Sequence, residues 1–198
     1  MLWIIDSGHG GMINGIYQTA PKKMFKFPTG IIAYEGVINR MFKNMLIKRL
    51  KNKKIQYVDI CPGEEDVSLG DRVNTISALC KERHNCILIS LHSNAGKGTG
   101  FEIFTTKKKT KSDEYAEILA KILIKKFPYI KFRSDTTDGD LDKEEDFYII
   151  KETETMCPGI LVECLFFDNW NDYLMLYDPL FQAKYIQSLM DFIQEIEA

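Results

Sequence analysis

The stretch "CILISLHSNAG", residues 86–96, decides how this chain is read. Its first half is a short, continuous apolar run with isoleucine at two positions. It lacks the alternation of a strand with one face in water, so it reads as a strand buried on both faces. Such strands belong to mostly parallel sheets with helices packed on each side. The run then ends abruptly in a histidine, small polar residues and a glycine. In open α/β sheets, sites form just outside the carboxyl ends of strands, which marks His92 as a residue to follow.

The same grammar recurs along the rest of the chain. Leu2–Ile5 is a short apolar strand leading into "DSGHGG". Apolar residues at helical spacing, from Val37 and Ile38 to Leu46 and Leu50, predict a helix over 35–51, with the basic "KRLKNKK" at its negative end. Residues 55–60 predict a second strand, and Leu69, Val73, Ile76, Leu79 and Cys80 a second helix. "GFEIFTT" reads as a strand. Ser112 reads as the N-cap of a third helix, which Pro128 limits. "DFYIIK" and "GILVECLF" read as two more strands, and a helix carrying Phe181, Tyr185, Leu189 and Ile193 closes the chain. The expectation is a single α/β domain over 1–198, with about six strands in a mixed, mostly parallel sheet flanked by helices on both faces.

Composition narrows the function. The 198 residues are 45% hydrophobic and 27% charged, an ordinary globular balance, and the net charge of −2 offers no basic field for nucleic acid. No apolar run is long enough to span a membrane. "MLWIID" lacks the basic region and cleavage site of a secretory signal, so synthesis in the cytoplasm is expected. The five cysteines form no CxxC pair and lie in apolar runs, which suits free thiols.

Four reactive residues follow or end predicted elements: His9 after the first strand, Glu35 at the first helix, His92 after the buried strand, and Glu163 inside "GILVECLFFDN". His84, in "KERHNC", has polar neighbours and precedes its strand, so it reads as surface. A glutamate inside an apolar strand is costly unless paired or functional. Two histidines and one carboxylate from separate loops can bind zinc with a position left open, and a further carboxylate can move protons.

Competing motifs fail on spacing. GxGxxG needs glycine at position 13, where Ile13 stands. A P-loop ending at Gly96-Lys97 needs glycine at 91, where Leu91 stands. An EF-hand counted from Asp138 needs glycine at 143 and glutamate at 149, where Lys143 and Ile149 stand. "TTKKKTK" reads as a solvated loop.

"DSGHGG", "YEG", "SLHSNA", "GFEIFTT" and "GILVECLFFDN" resemble, in this order, the motifs of zinc-dependent N-acetylmuramoyl-L-alanine amidases of the Amidase_3 type. The resemblance covers nearly the whole chain. It implies one zinc ion held by His9, Glu35 and His92, with Glu163 as catalytic glutamate, cutting the amide between the lactyl group of N-acetylmuramic acid and L-alanine of peptidoglycan. Asp6 and Asn94 are close enough in sequence to support the ligands, and Asn94 and Lys143 are candidate substrate contacts. The long stretch between His9 and Glu35 resembles phage-type and Bacteroidetes-type members. The expected protein is a monomeric catalytic domain without a separate wall-binding domain, acting on peptidoglycan after endolysin-like release or non-classical export. The alternatives are a zinc peptidase acting within stem peptides and a non-catalytic wall-binding module of the same fold.

Overall fold

A computed structural model describes residues 1–137 and 139–198; Asp138, where the EF-hand count begins, lies outside the described residues. The central sheet has six strands. In chain order they are β1 (Leu2–Ser7), β6 (Tyr57–Asp59), β7 (Cys86–Asn94), β8 (Phe101–Thr105), β9 (Lys143–Glu144) and β10 (Gly159–Phe166). Two hairpins lie outside this sheet. One pairs β2 (Met12–Ile13) with β3 (Ile16–Tyr17), and the other pairs β4 (Met24–Lys26) with β5 (Ile32–Tyr34). Across the sheet the order is β6-β1-β7-β10-β8-β9. The first four run parallel, β8 is antiparallel to β10, and β9 is parallel to β8.

Alternation along the central strands explains why both faces are covered. Trp3 and Ile5, Ile87 and Ile89, and Ile160 and Val162 face one core, built against α1 (Glu35–Lys53), α3 (Lys111–Lys126) and α6 (Pro179–Glu197). Leu2 and Ile4, Cys86 and Leu88, and Leu161 face the other, against α2 (Leu69–Glu82) and α4 (Tyr148–Thr153). A side chain's position in the count of two therefore fixes which layer it enters. A short α5 (Trp170–Leu176) follows β10. Among the described residues no helix is long and apolar enough to cross a membrane, and all five cysteines are free.

Three expectations change. "DFYIIK" is not a strand: most of it forms α4, where Ile149, Ile150 and Thr153 are the buried residues. Adjacent burial followed by burial four residues from the first is a helical face, and the Thr153 hydroxyl donates to the Ile149 carbonyl at 2.7 Å. The sixth strand is instead the two-residue β9. The cap of α3 is Thr110, not Ser112. The Thr110 hydroxyl accepts from the Ser112 N–H at 3.1 Å while the Asp113 carboxylate accepts from the Thr110 N–H at 2.6 Å, a reciprocal capping box. Ser112 lies inside the helix, where its hydroxyl accepts from the Gly159 N–H at 3.0 Å and ties α3 to the start of β10.

Candidate metal centre

His9 leaves β1 in the left-handed backbone region, at φ 66, which disfavours any residue with a Cβ. Its surroundings enforce that shape. The Arg40 guanidinium donates to the His9 carbonyl, to Gly63 O at 3.0 Å and to Glu65 O at 2.9 Å. One residue earlier on α1, the Asn39 amide donates to the Gly8 carbonyl at 3.1 Å. Gly8 itself cannot carry a side chain, because a Cβ there would lie 2.0 Å from the His92 ring. The glycine lets the His92 imidazole pack directly on the loop that presents His9. The two rings then stand edge to face, 5.2 Å apart.

Glu35 is delivered by the first turn of α1. Its N-cap, Tyr34, offers no side-chain acceptor, and the Tyr17 hydroxyl of β3 accepts from the Gly36 N–H at 3.0 Å instead. The hairpins between His9 and Glu35 thus tie down the mouth of that helix. They also bring Lys23 Nζ to 3.3 Å from Glu35 Oε2. Glu35 Oε1 faces both histidines, 3.3 Å from His9 Nε2 and 3.0 Å from His92 Nδ1.

His92 and Glu163 are lateral neighbours in the β7–β10 ladder, on the face that Leu88 and Leu161 also use. Beyond Glu163 the ladder shifts register and Leu165 takes a left-handed conformation, so the strand breaks its regular course just after the glutamate. Across the antiparallel pair, Glu102 stands directly opposite Glu163. Two carboxylates in that relation repel. Glu102 is compensated by Arg133 Nε at 2.7 Å, Lys143 Nζ at 2.6 Å and the Asn94 amide, leaving Glu163 Oε2 buried with no hydrogen-bond partner among the described residues.

Burial alone would raise the Glu35 carboxyl, but its contacts with both histidines outweigh this and hold it below the usual carboxylate range. Burial alone would lower His92, and the contact with Glu35 together with the charge of Glu163 lifts it above its ordinary value. Burial pushes Glu163 up to about 7; His92 opposes that shift and Glu35 adds to it.

The donor atoms of His9, Glu35 and His92 lie within 4.8 Å of one another, and among the described residues His9 Nε2 makes no hydrogen bond beyond its 3.3 Å approach to Glu35 Oε1. Two imidazole nitrogens and one carboxylate oxygen, with room for a fourth ligand, fit the donor set of a catalytic zinc. A cleft of about 290 Å³ is lined by both histidines together with Asp6, Arg72, Val67 and Ile149. Behind it, Asp6 is 1% exposed and accepts from Arg72 Nη1 at 2.5 Å and from the Ser90 hydroxyl at 2.6 Å. Asp6 thus supports the floor of the cleft through Arg72 and Ser90, and Asn94 serves Glu102.

Four residues of this centre were not singled out from the sequence. Lys23, Asn39 and Arg40 carry no local signal, because what they touch is set by the loop fold. Glu102 does carry one: in "GFEIF" it is a glutamate among apolar strand residues, the same feature that marks Glu163. His84 is exposed, as its neighbours suggested.

The N-acetylmuramoyl-L-alanine amidase family, Amidase_3, matches residues 4–195. N-acetylmuramoyl-L-alanine amidase CwlM of Bacillus licheniformis is 26% identical over 187 residues, which cover 93% of this chain and 62% of the relative. The chain therefore spans less than two thirds of that relative's length. The solved N-acetylmuramoyl-L-alanine amidase of Clostridium difficile 630 superposes with a TM-score of 0.75 at 23% identity, covering 98% of this chain and 95% of the other. AmiC2 of Nostoc punctiforme superposes with a TM-score of 0.74 at 19% identity, covering 99% and 96%.

Proposed function

Because the chain belongs to the Amidase_3 family of N-acetylmuramoyl-L-alanine amidases, we propose that it hydrolyses the amide between the lactyl group of N-acetylmuramic acid and L-alanine in peptidoglycan. His9, Glu35 and His92 hold one zinc ion in this reading, and Glu163 is the general base and acid. The observation that carries it is the convergence of two imidazoles and a carboxylate beside a second carboxylate with an unpartnered buried oxygen. When bound there, zinc supplies Lewis acidity toward a water and the scissile carbonyl.

The chain's own residues do the rest. Glu163 takes the proton of the attacking water and returns it to the departing alanine nitrogen. A carboxyl raised toward neutrality suits both halves of that task, because it accepts and releases a proton at small cost. Arg40 and Asn39 keep the His9 loop fixed, and Lys23 balances the charge of Glu35. Asn94 and Lys143, gathered at Glu102 beside Glu163, are the proposed contacts for a polar group of the stem peptide. The site of action is then the cell wall.

Metal content tests the reading. One zinc per chain is expected, with clearing of a wall suspension lost on chelation and restored by zinc. His9→Ala should lose both the metal and the clearing. Protein that clears walls at full rate without metal contradicts the assignment.

A further inference from the structure

A row of polar side chains crosses the sheet in steps of one strand, and the proposed reaction uses only its first half. His92 on β7 neighbours Glu163 on β10, and Glu163 stands opposite Glu102 on β8. Each step is about 4.8 Å, the spacing of adjacent strands. Beyond Glu102 the edge of β8 is paired twice. Phe132 bridges to Phe101, with the Arg133 N–H donating to the Phe101 carbonyl at 2.9 Å, and Lys143 of β9 pairs with Phe104. The two flanking cations reach the same atom: Arg133 Nε and Lys143 Nζ lie 2.7 and 2.6 Å from Glu102 Oε1. Two positive charges thus face one carboxylate, and the row ends with positive charge in excess. The Arg133 guanidinium is held twice, by Nε on Glu102 and by its carbon 5.3 Å from the centroid of the Phe166 ring. Among the described residues its two Nη groups meet no acceptor, and the side chain is 32% exposed. A planar fork fixed through its stem, with both outer nitrogens unused, is built to grip a carboxylate by two parallel hydrogen bonds.

We propose that Arg133, backed by Lys143, is a carboxylate subsite that selects stem peptides whose second residue carries a free α-carboxylate. The inference rests on the amidase reading and names the substrate within it. In that reading the scissile amide lies between the histidine centre and Glu163, and the stem leaves it along the row. The second stem residue is a glutamate joined through its side chain, so its α-carboxylate is free in some walls and amidated in others. Two residues of extended chain span about 7 Å, which puts that group between one and two strand spacings from the scissile carbon, at Glu102 and the Arg133 fork. Without the cations, Glu102 and Glu163 would repel an anion there; the second positive charge offsets them. An amide in the same place turns an N–H donor toward the guanidinium, so it forfeits one of the two bonds and the charge attraction.

Two synthetic muropeptides, identical except for a free or an amidated α-carboxyl at the second stem residue, test this with zinc-loaded protein. Wild type should favour the free carboxylate by about ten- to a hundredfold in kcat/KM. Arg133→Gln should keep its zinc and bring that ratio close to one, and Arg133→Lys, which keeps the charge and loses the fork, should fall between. A structural role for Arg133 would instead lower both rates alike and leave the ratio in place. Equal rates by wild type, or a ratio that survives Arg133→Gln, overturn the proposal and leave the amidase reading standing. Release of no stem from either substrate overturns that reading and the proposal with it.

Discussion

The middle of the sheet and its β8–β9 edge are held together in different ways. In the middle, β1, β7 and β10 are parallel, covered on both faces, and joined in one continuous register from Asp6 through Ser90 to Leu161. Each residue has one permitted layer, and the reactive groups are simply those at the ends of the count. At the edge, β9 has two residues, and its position depends on side chains: Lys143 on Glu102, Thr105 on Asp142, and a gathering of carboxylates. Backbone pairing and burial build the first region, and charge builds the second. Damage to the middle should therefore be severe, while damage at the edge should cost less.

The largest effect is expected at Glu163. Glu163→Gln keeps the shape of the side chain and removes its proton chemistry, so turnover should fall by about 10² to 10⁴-fold with zinc binding intact. Rate and zinc stoichiometry measured on the same sample check this, and loss of the metal along with the rate would make Glu163 a ligand instead.

Next comes Asp6. Asp6→Asn leaves the buried Arg72 with only the longer 3.8 Å contact to the partly exposed Asp66 as counter-charge, which should cost about 3 kcal/mol in denaturant unfolding. Burial would raise the Asp6 carboxyl, but Arg72 and Ser90 outweigh it and hold it below its ordinary 3.8. Its contribution is thus complete above that value and is lost as pH falls through the lower folded-state value. The stability gap between wild type and Asp6→Asn should stay level from neutral pH down to about 4 and close below it. A gap that widens in acid would contradict the pairing.

Arg40→Met removes the donors that pin the His9, Gly63 and Glu65 carbonyls and should cost about 1.5–3 kcal/mol while weakening zinc binding. At the edge, Thr110→Ala breaks the capping box of α3 and should cost only about 1 kcal/mol. If Thr110→Ala proves as costly as Asp6→Asn, the contrast between the two regions fails.

The same contrast explains what could be read from the sequence. "CILISL" and "GILVECLF" are legible because burial on both faces leaves one interpretation; His92 ends the first, Glu163 lies within the second, His9 follows the first strand of the chain, and Glu35 stands out as the acid that opens the first helix. "DFYIIK" is ambiguous by itself: Phe147, Ile149 and Ile150 suit a strand or a short helix equally, and the choice falls to the packing of α4 on α2. β9 has no hydrophobic pattern to detect. The hairpins before Glu35 are recognisable only through what they hold, the Tyr17 hydroxyl and Lys23. Glu102 was legible by the logic that marks Glu163, while its cations come from distant positions, 133 and 143, that only the fold brings near.

The measurement that bears most directly on the central claim is mass spectrometry of purified peptidoglycan digested by the zinc-loaded protein. Stem peptides with free L-alanine amino termini should be released, together with intact glycan chains stripped of their stems. Cuts between stem-peptide residues, or binding to the wall with no soluble product, would contradict it.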